Sequence, residues 1–131
     1  MNAATRFRTA AEQKDIAAAE ELFAPGIVFH SPVTFHPFVG RETVTQLLSI
    51  VADTFEDFRY TDHVEAGSVH GLIFRASING RELEGIDLLR VDEDGLIDDF
   101  TVMIRPMSGL VPFAQAMGEK VQAAGLATTR A

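Results

Sequence analysis

Hydrophobic positions recur at two different spacings along this chain, and the change from one to the other divides it near residue 55. Before that point the spacing is helical. Phe7, Ala10, Ala11 and Lys14 carry it first, and Asp15 then offers an N-cap for a segment from Ile16 to Phe23 whose apolar face is Ile16, Ala19, Leu22 and Phe23. Pro25-Gly26 stops that second helix, and Ile27 to Ser31 reads as a short strand closed by Pro32. The stretch Val33 to Gly40 is too apolar for an ordinary solvent loop, so it covers something or is itself covered. Val44, Leu47, Leu48 and Val51 fall at i, i+3, i+4 and i+7 and predict a third helix from about Arg41 to Ala52.

After the third helix the period becomes two. Phe58, Tyr60, Asp62 and Val64 alternate with Arg59, Thr61, His63 and Glu65; Gly67-Ser68 turns the chain; His70, Leu72, Phe74, Ala76 and Ile78 share one face of the next strand. Asn79-Gly80 and Asp94-Gly95 are hairpin signals on either side of a third strand, and Leu96 to Arg105 forms a fourth with Phe100, Val102 and Ile104 on one face. Pro106 ends that strand. Ser108 is placed to cap a final helix whose stripe is Leu110, Phe113, Ala114, Met117 and Val121, followed by a tail from Ala127 to Ala131.

The third strand carries the residue that most needs explaining. Leu83, Gly85, Asp87, Leu89 and Val91 lie on one face by alternation, so a carboxylic acid points with Leu89 toward the core. A buried acid needs a partner or a proton, and desolvation raises its pKa toward a neutral form that donates a hydrogen bond. Ile86 and Leu88 make the opposite face apolar too, which predicts that the outer side of the sheet meets another subunit, as in a homodimer.

Composition narrows the function classes. The chain has 131 residues, which fits one domain over 1–131. A hydrophobic fraction of 47% with no apolar run near the roughly 18 residues of a membrane span predicts a soluble protein and no membrane partner. The formal charge of -8 repels phosphate backbones, so no nucleic-acid partner is expected. Cysteine is absent, which removes disulfides and thiolate chemistry. With no apolar signal segment at its start, the chain is expected in the cytoplasm.

Helix, helix, short strand, loop, helix and a four-strand meander make an α+β layout: a cone-shaped, curved antiparallel sheet wrapped around three N-terminal helices, with a C-terminal helix. Two stretches, Leu22 to Pro32 followed by Gly40-Arg41-Glu42, and Ile86 to Ile97, resemble the nuclear-transport-factor-two-like superfamily in its SnoaL-like, ketosteroid-isomerase-like branch. The resemblance spans residues 3 to 120. It implies a conical fold that hosts many chemistries, among them isomerisation, cyclisation, dehydration and epoxide hydrolysis. It places Asp87 where the isomerase keeps its protonated, oxyanion-binding aspartic acid. The isomerase's catalytic base, however, corresponds here to Ser31, and its helix-borne phenol to Phe7. A serine hydroxyl is no base unaided, so true ketosteroid isomerase activity is not expected.

Two histidines stand near the position of the missing base. His30 and His36 flank the apolar loop; alternation turns His30 outward, which makes His36 the candidate proton carrier, with Ser31 orienting substrate or water. Asp87, Arg75 and Asp98 are the one conceivable set for limonene-type epoxide hydrolysis, but Arg75 has the parity that points away from the cone. His63 and Glu65 share a strand face, yet neither that pair nor His30 with His36 has a recognised ligand spacing, so no metal is expected. Asp92-Glu93-Asp94-Gly95 is explained as a turn, and no cofactor is implied.

Among ten phenylalanines, Phe29, Phe74 and Phe100, with Leu89, Val102 and Ile104, are expected to line a pocket for a small hydrophobic ligand bearing a carbonyl or hydroxyl. Three readings stay open: an enzyme that isomerises, cyclises or dehydrates such a compound, a ligand-binding accessory module, and a dimerising scaffold whose cone is filled.

Overall fold

A computed structural model describes residues 2–129; Met1, Arg130 and Ala131, and with them the end of the expected tail, lie outside the described residues. Helix α1 (Ala3–Glu12) starts at Asn2, whose side chain accepts from the Thr5 amide, and α2 (Ile16–Glu20) starts at Asp15, which accepts from the Ala18 amide. Then come β1 (Phe23–His30), β2 (Phe38–Val39), α3 (Arg41–Thr54), β3 (Glu56–Ala66), β4 (Val69–Ile78), β5 (Arg81–Val91), β6 (Ile97–Arg105) and α4 (Met107–Ala123).

The strands form one curved, open sheet in the order β2-β1-β6-β5-β4-β3, antiparallel except where β1 runs parallel to β6. The helices pack on its concave side. Phe7 from α1, Phe23 and Phe29 from β1 and Phe100 from β6 meet there as an aromatic cluster, with Phe7 edge-on to Phe100 at 5.3 Å and Phe29 edge-on to Phe100 at 5.1 Å. Across the cone, Phe113 of α4 stacks on Phe55 at 4.8 Å and 14°. Among the described residues, none of the helices is long and apolar enough to cross a membrane.

Three local expectations change. The second helix ends at Glu20 rather than Phe23, because Phe23 already pairs with Ile97 and the residues around Pro25-Gly26 are taken up in a shift of register before Val28 pairs with Asp99. A proline without an amide hydrogen fits such an irregularity in the ladder. Phe38 and Val39, expected in a loop, pair with Phe29 and Val28 as a two-residue strand. Ser108 does not cap α4; Pro106 holds that position without a side-chain bond. The expected tail is also tied down in part, since the Thr129 amide donates to the Pro37 carbonyl at 2.8 Å.

Two glycines mark close approaches that shape the cone. A Cβ at Gly85 would strike the Phe74 ring and come 2.6 Å from the Met103 carbonyl, so this glycine lets the Phe74 ring come close against β5. At Gly109 a Cβ would lie 2.8 Å from the Leu83 Cβ, which explains how α4 comes down onto β5.

Candidate functional site

Alternation on β5 puts Asp87 on the concave face, between Leu72 of β4 and Val102 of β6 in register, and only 6% of its surface is exposed. A partner reaches it diagonally across β4. Tyr60, which pairs with Phe74, donates its hydroxyl to Asp87 Oδ2 at 2.7 Å. Tyr60 is itself buried and is framed by rings, with Phe58 edge-on at 5.0 Å and Phe74 edge-on at 6.4 Å.

The surroundings set the proton chemistry of this pair. Removal from water pushes the Asp87 carboxyl up from 3.8 to about 7, and the Tyr60 hydrogen bond, which stabilises the carboxylate, opposes that rise without cancelling it. Burial, then the neighbouring Asp87 charge, holds the Tyr60 phenol well above its ordinary range. Tyr60 therefore stays a donor at every ordinary pH, while Asp87 is close to half protonated at neutrality. An acid so placed can give or take a proton near pH 7.

Beside the pair lies a cavity of about 150 Å³. Phe29, Phe74, Phe100 and Val102 line it from the sheet, Leu47, Val51, Phe113 and Met117 from the helices, and Phe55 from the end of α3. Its exposed lining residues mark where it opens: Lys14 and Asp15 at the α1–α2 turn, Val33 and Thr34 in the loop before β2, and Gly118 of α4. Asp87 and Tyr60 are the buried titratable groups among the described lining residues.

Comparisons with known proteins agree with the fold that carries this pair. Residues 4–100 match the SnoaL-like domain. The chain belongs to the SnoaL-like family. A structure described as a steroid delta-isomerase from Pseudomonas aeruginosa is 35% identical, with 93% of this chain and 90% of that one covered and a TM-score of 0.88. An uncharacterised bacterial protein with a cystatin-like fold from Silicibacter pomeroyi is 27% identical over 94% of this chain and 87% of that one, at a TM-score of 0.89. An NTF2-like protein of unknown function from Mesorhizobium loti shares the fold at 24% identity, 79% and 88% coverage and a TM-score of 0.71. No functionally curated protein matches the chain.

Within this SnoaL-like domain the residues singled out from sequence separate into three groups. Asp87, Phe29, Phe74, Phe100 and Val102 come together at the cavity. Leu89 and Ile104 do not line it: Leu89 is fully buried, in register with Phe100, and Ile104 borders a shallow groove shared with Phe35 and Pro37. Ser31 lines the cavity, but its hydroxyl accepts from the Val33 and Thr34 amides at 3.2 and 3.1 Å and so holds the loop's turn. His36 is exposed on that loop and is absent from the cavity wall. His30 does turn outward, where its Nε2 lies 3.3 Å from Asp99 Oδ2.

Sequence reasoning missed the role of Tyr60. The resemblance directed attention to α1 for a phenol and found Phe7, which is buried against Phe23 and Phe100. The usable signal was that the chain's single tyrosine shares the parity of Phe58. That parity then fails. The register of β3 slips between Tyr60 and Asp62, so Asp62 and Val64 turn outward while His63 and Glu65 face inward opposite Leu72 and His70.

Proposed function

We propose that this protein binds a small hydrophobic compound with its carbonyl or hydroxyl oxygen against Asp87, and that it isomerises, cyclises or dehydrates that compound without a cofactor. The observation that carries the reading is the Tyr60–Asp87 pair set in an apolar cavity. Tyr60 occupies Oδ2, which leaves Oδ1 of the protonated acid to donate to an oxygen on which negative charge develops. A volume near 150 Å³ accommodates a compound built on about one ring. That size, and a serine where a steroid isomerase needs its base, argue against a steroid as substrate even though a 35% identical protein is described as a steroid delta-isomerase.

A second reading is favoured by the positions of Ser31 and His36. With one hydroxyl engaged in a turn and one imidazole outside the cavity, the other titratable groups among the described lining residues, Lys14 and Asp15, lie exposed at its mouth, as suits a binding module without turnover. The two readings part in one experiment. Single-ring ketones and enols are screened for binding by ligand-observed NMR, and those that bind are assayed for turnover with the wild type and Asp87→Asn. At least about a tenfold loss in the variant, and a wild-type rate that falls as pH rises through about 7, is expected of the enzyme. Equal turnover in the variant removes Asp87 from the mechanism, and tight binding with no turnover supports the module.

The outer face of the sheet carries Val64 and Met103, both more than half exposed, beside Ile73, Ile86 and Leu88. We assign this apolar surface to a second copy of the chain, the homodimer that the sequence implied. Sedimentation showing a monomer at micromolar concentration would contradict that assignment.

A further inference from the structure

We infer that His63, Glu65 and His70 form a binding site for a divalent transition-metal ion of the zinc class, at the solvent-open turn end of the β3–β4 hairpin. The His63 Nε2 and His70 Nδ1 atoms lie 3.2 Å apart, His70 Nδ1 and Glu65 Oε2 lie 3.3 Å apart, and all three ligand atoms fall within 4.8 Å of one another. Metal bonds of about 2.0–2.1 Å at a tetrahedral angle place neighbouring donor atoms about 3.3 Å apart. Two of the three separations already have the length of a tetrahedron's edge.

The backbone aims these groups at one another. Glu65 pairs directly with His70, and His63 with Leu72, across a hairpin closed at Gly67, whose φ of +60° suits glycine. Without the register slip after Tyr60, His63 and Glu65 would face the outer side of the sheet. The slip therefore delivers both onto the face where His70 stands. Only 5% of the His70 side chain is exposed, against 61% for Glu65, so the ring is fixed from within while the carboxylate side is open for an ion to enter and to keep bound water.

One hydrogen cannot fully serve both acceptors that face His70 Nδ1. His70 Nδ1 faces both an imidazole nitrogen and a carboxylate oxygen, yet a neutral ring nitrogen carries either one hydrogen or one lone pair. With the hydrogen it serves one neighbour well; with the lone pair it repels the carboxylate. A cation accepts lone pairs from all three groups together. Two imidazoles and one carboxylate suit zinc-class ions and disfavour calcium or magnesium, which take oxygen donors. None of the three residues lines the Asp87 cavity, so this site is separate from the proposed ligand site.

The test is calorimetric titration of the chelator-treated full chain with Zn²⁺, alongside the variants Glu65→Gln, His63→Ala and His30→Ala. The first two change groups at the open end and spare the buried ring, and the third removes an imidazole paired with Asp99 elsewhere. One Zn²⁺ per chain is expected, with affinity about tenfold to a hundredfold weaker in Glu65→Gln and His63→Ala and unchanged in His30→Ala. Circular dichroism checks that each variant is folded. No uptake at submillimolar Zn²⁺, or uptake that Glu65→Gln and His63→Ala leave intact, overturns the assignment.

Discussion

Tyr60 and His63 stand on either side of one register slip in β3 and face the same side of the sheet, yet they meet opposite surroundings. Tyr60 is enclosed by Phe58 and Phe74 and reaches a buried acid; His63 is half-buried and meets a buried imidazole and an exposed carboxylate. Around Tyr60 burial decides the chemistry, because it lifts Asp87 to about 7. Around His63 the surface is open to solvent, and geometry decides instead, through three ligand atoms within 4.8 Å of one another. The same strand thus builds a proton site and a candidate ion site, and the difference lies in what covers each end.

The largest effect that would break this contrast concerns Asp87 and pH. Its folded-state pKa lies above the unfolded value, so the folded chain holds a proton that the unfolded chain releases between about pH 4 and pH 7. Stability from this group is therefore full below about pH 4, falls as pH rises to about 7 and is level beyond. Three units correspond to roughly 4 kcal/mol. Urea titrations of wild type and Asp87→Asn at pH 4.5 and pH 8 are expected to show the variant gaining on the wild type by several kcal/mol at the higher pH; a constant difference would mean that Asp87 is ionised in both states.

A smaller effect is expected at Tyr60. Tyr60→Phe removes a hydrogen bond to the carboxylate, worth about 1.5–3 kcal/mol where Asp87 is ionised and less where it is protonated. The loss should therefore be greater at pH 8 than at pH 5, and the Asp87 transition should move to higher pH. A loss independent of pH would show that the hydroxyl does not act on the ionised acid. The smallest effect belongs to the open end. Glu65→Gln, in the presence of chelator, is expected to change stability by no more than about 0.5 kcal/mol and to leave the Asp87 pH dependence untouched. A large shift in either would tie the two regions together and remove the contrast.

Much of the architecture was legible because it rests on local patterns. The helical spacing of Val44, Leu47, Leu48 and Val51 marks α3, Asn79-Gly80 and Asp94-Gly95 mark two hairpins, and alternation alone turns Asp87 inward. Features set by pairing between distant strands were not legible. No glycine or proline announces the slip after Tyr60, yet it decides which of Asp62 and His63 faces inward. The Tyr60–Asp87 bond joins strands separated by β4, and nothing in the spacing of either residue specifies that diagonal. His70 was readable as inward but not as a neighbour of His63 and Glu65, since that contact follows from the slip. Loop geometry hid the rest: Ser31 and His36 lie close together in sequence, but the turn that Ser31 holds leaves His36 outside.

The state of Asp87 can be read directly by following its side-chain carboxyl carbon by NMR as pH is varied, with Asp87→Asn used to assign the signal. A midpoint near 7 is predicted, moving upward in Tyr60→Phe. A midpoint near 4, the value of an aspartate in water, would show that this acid is solvated and would contradict the buried proton site.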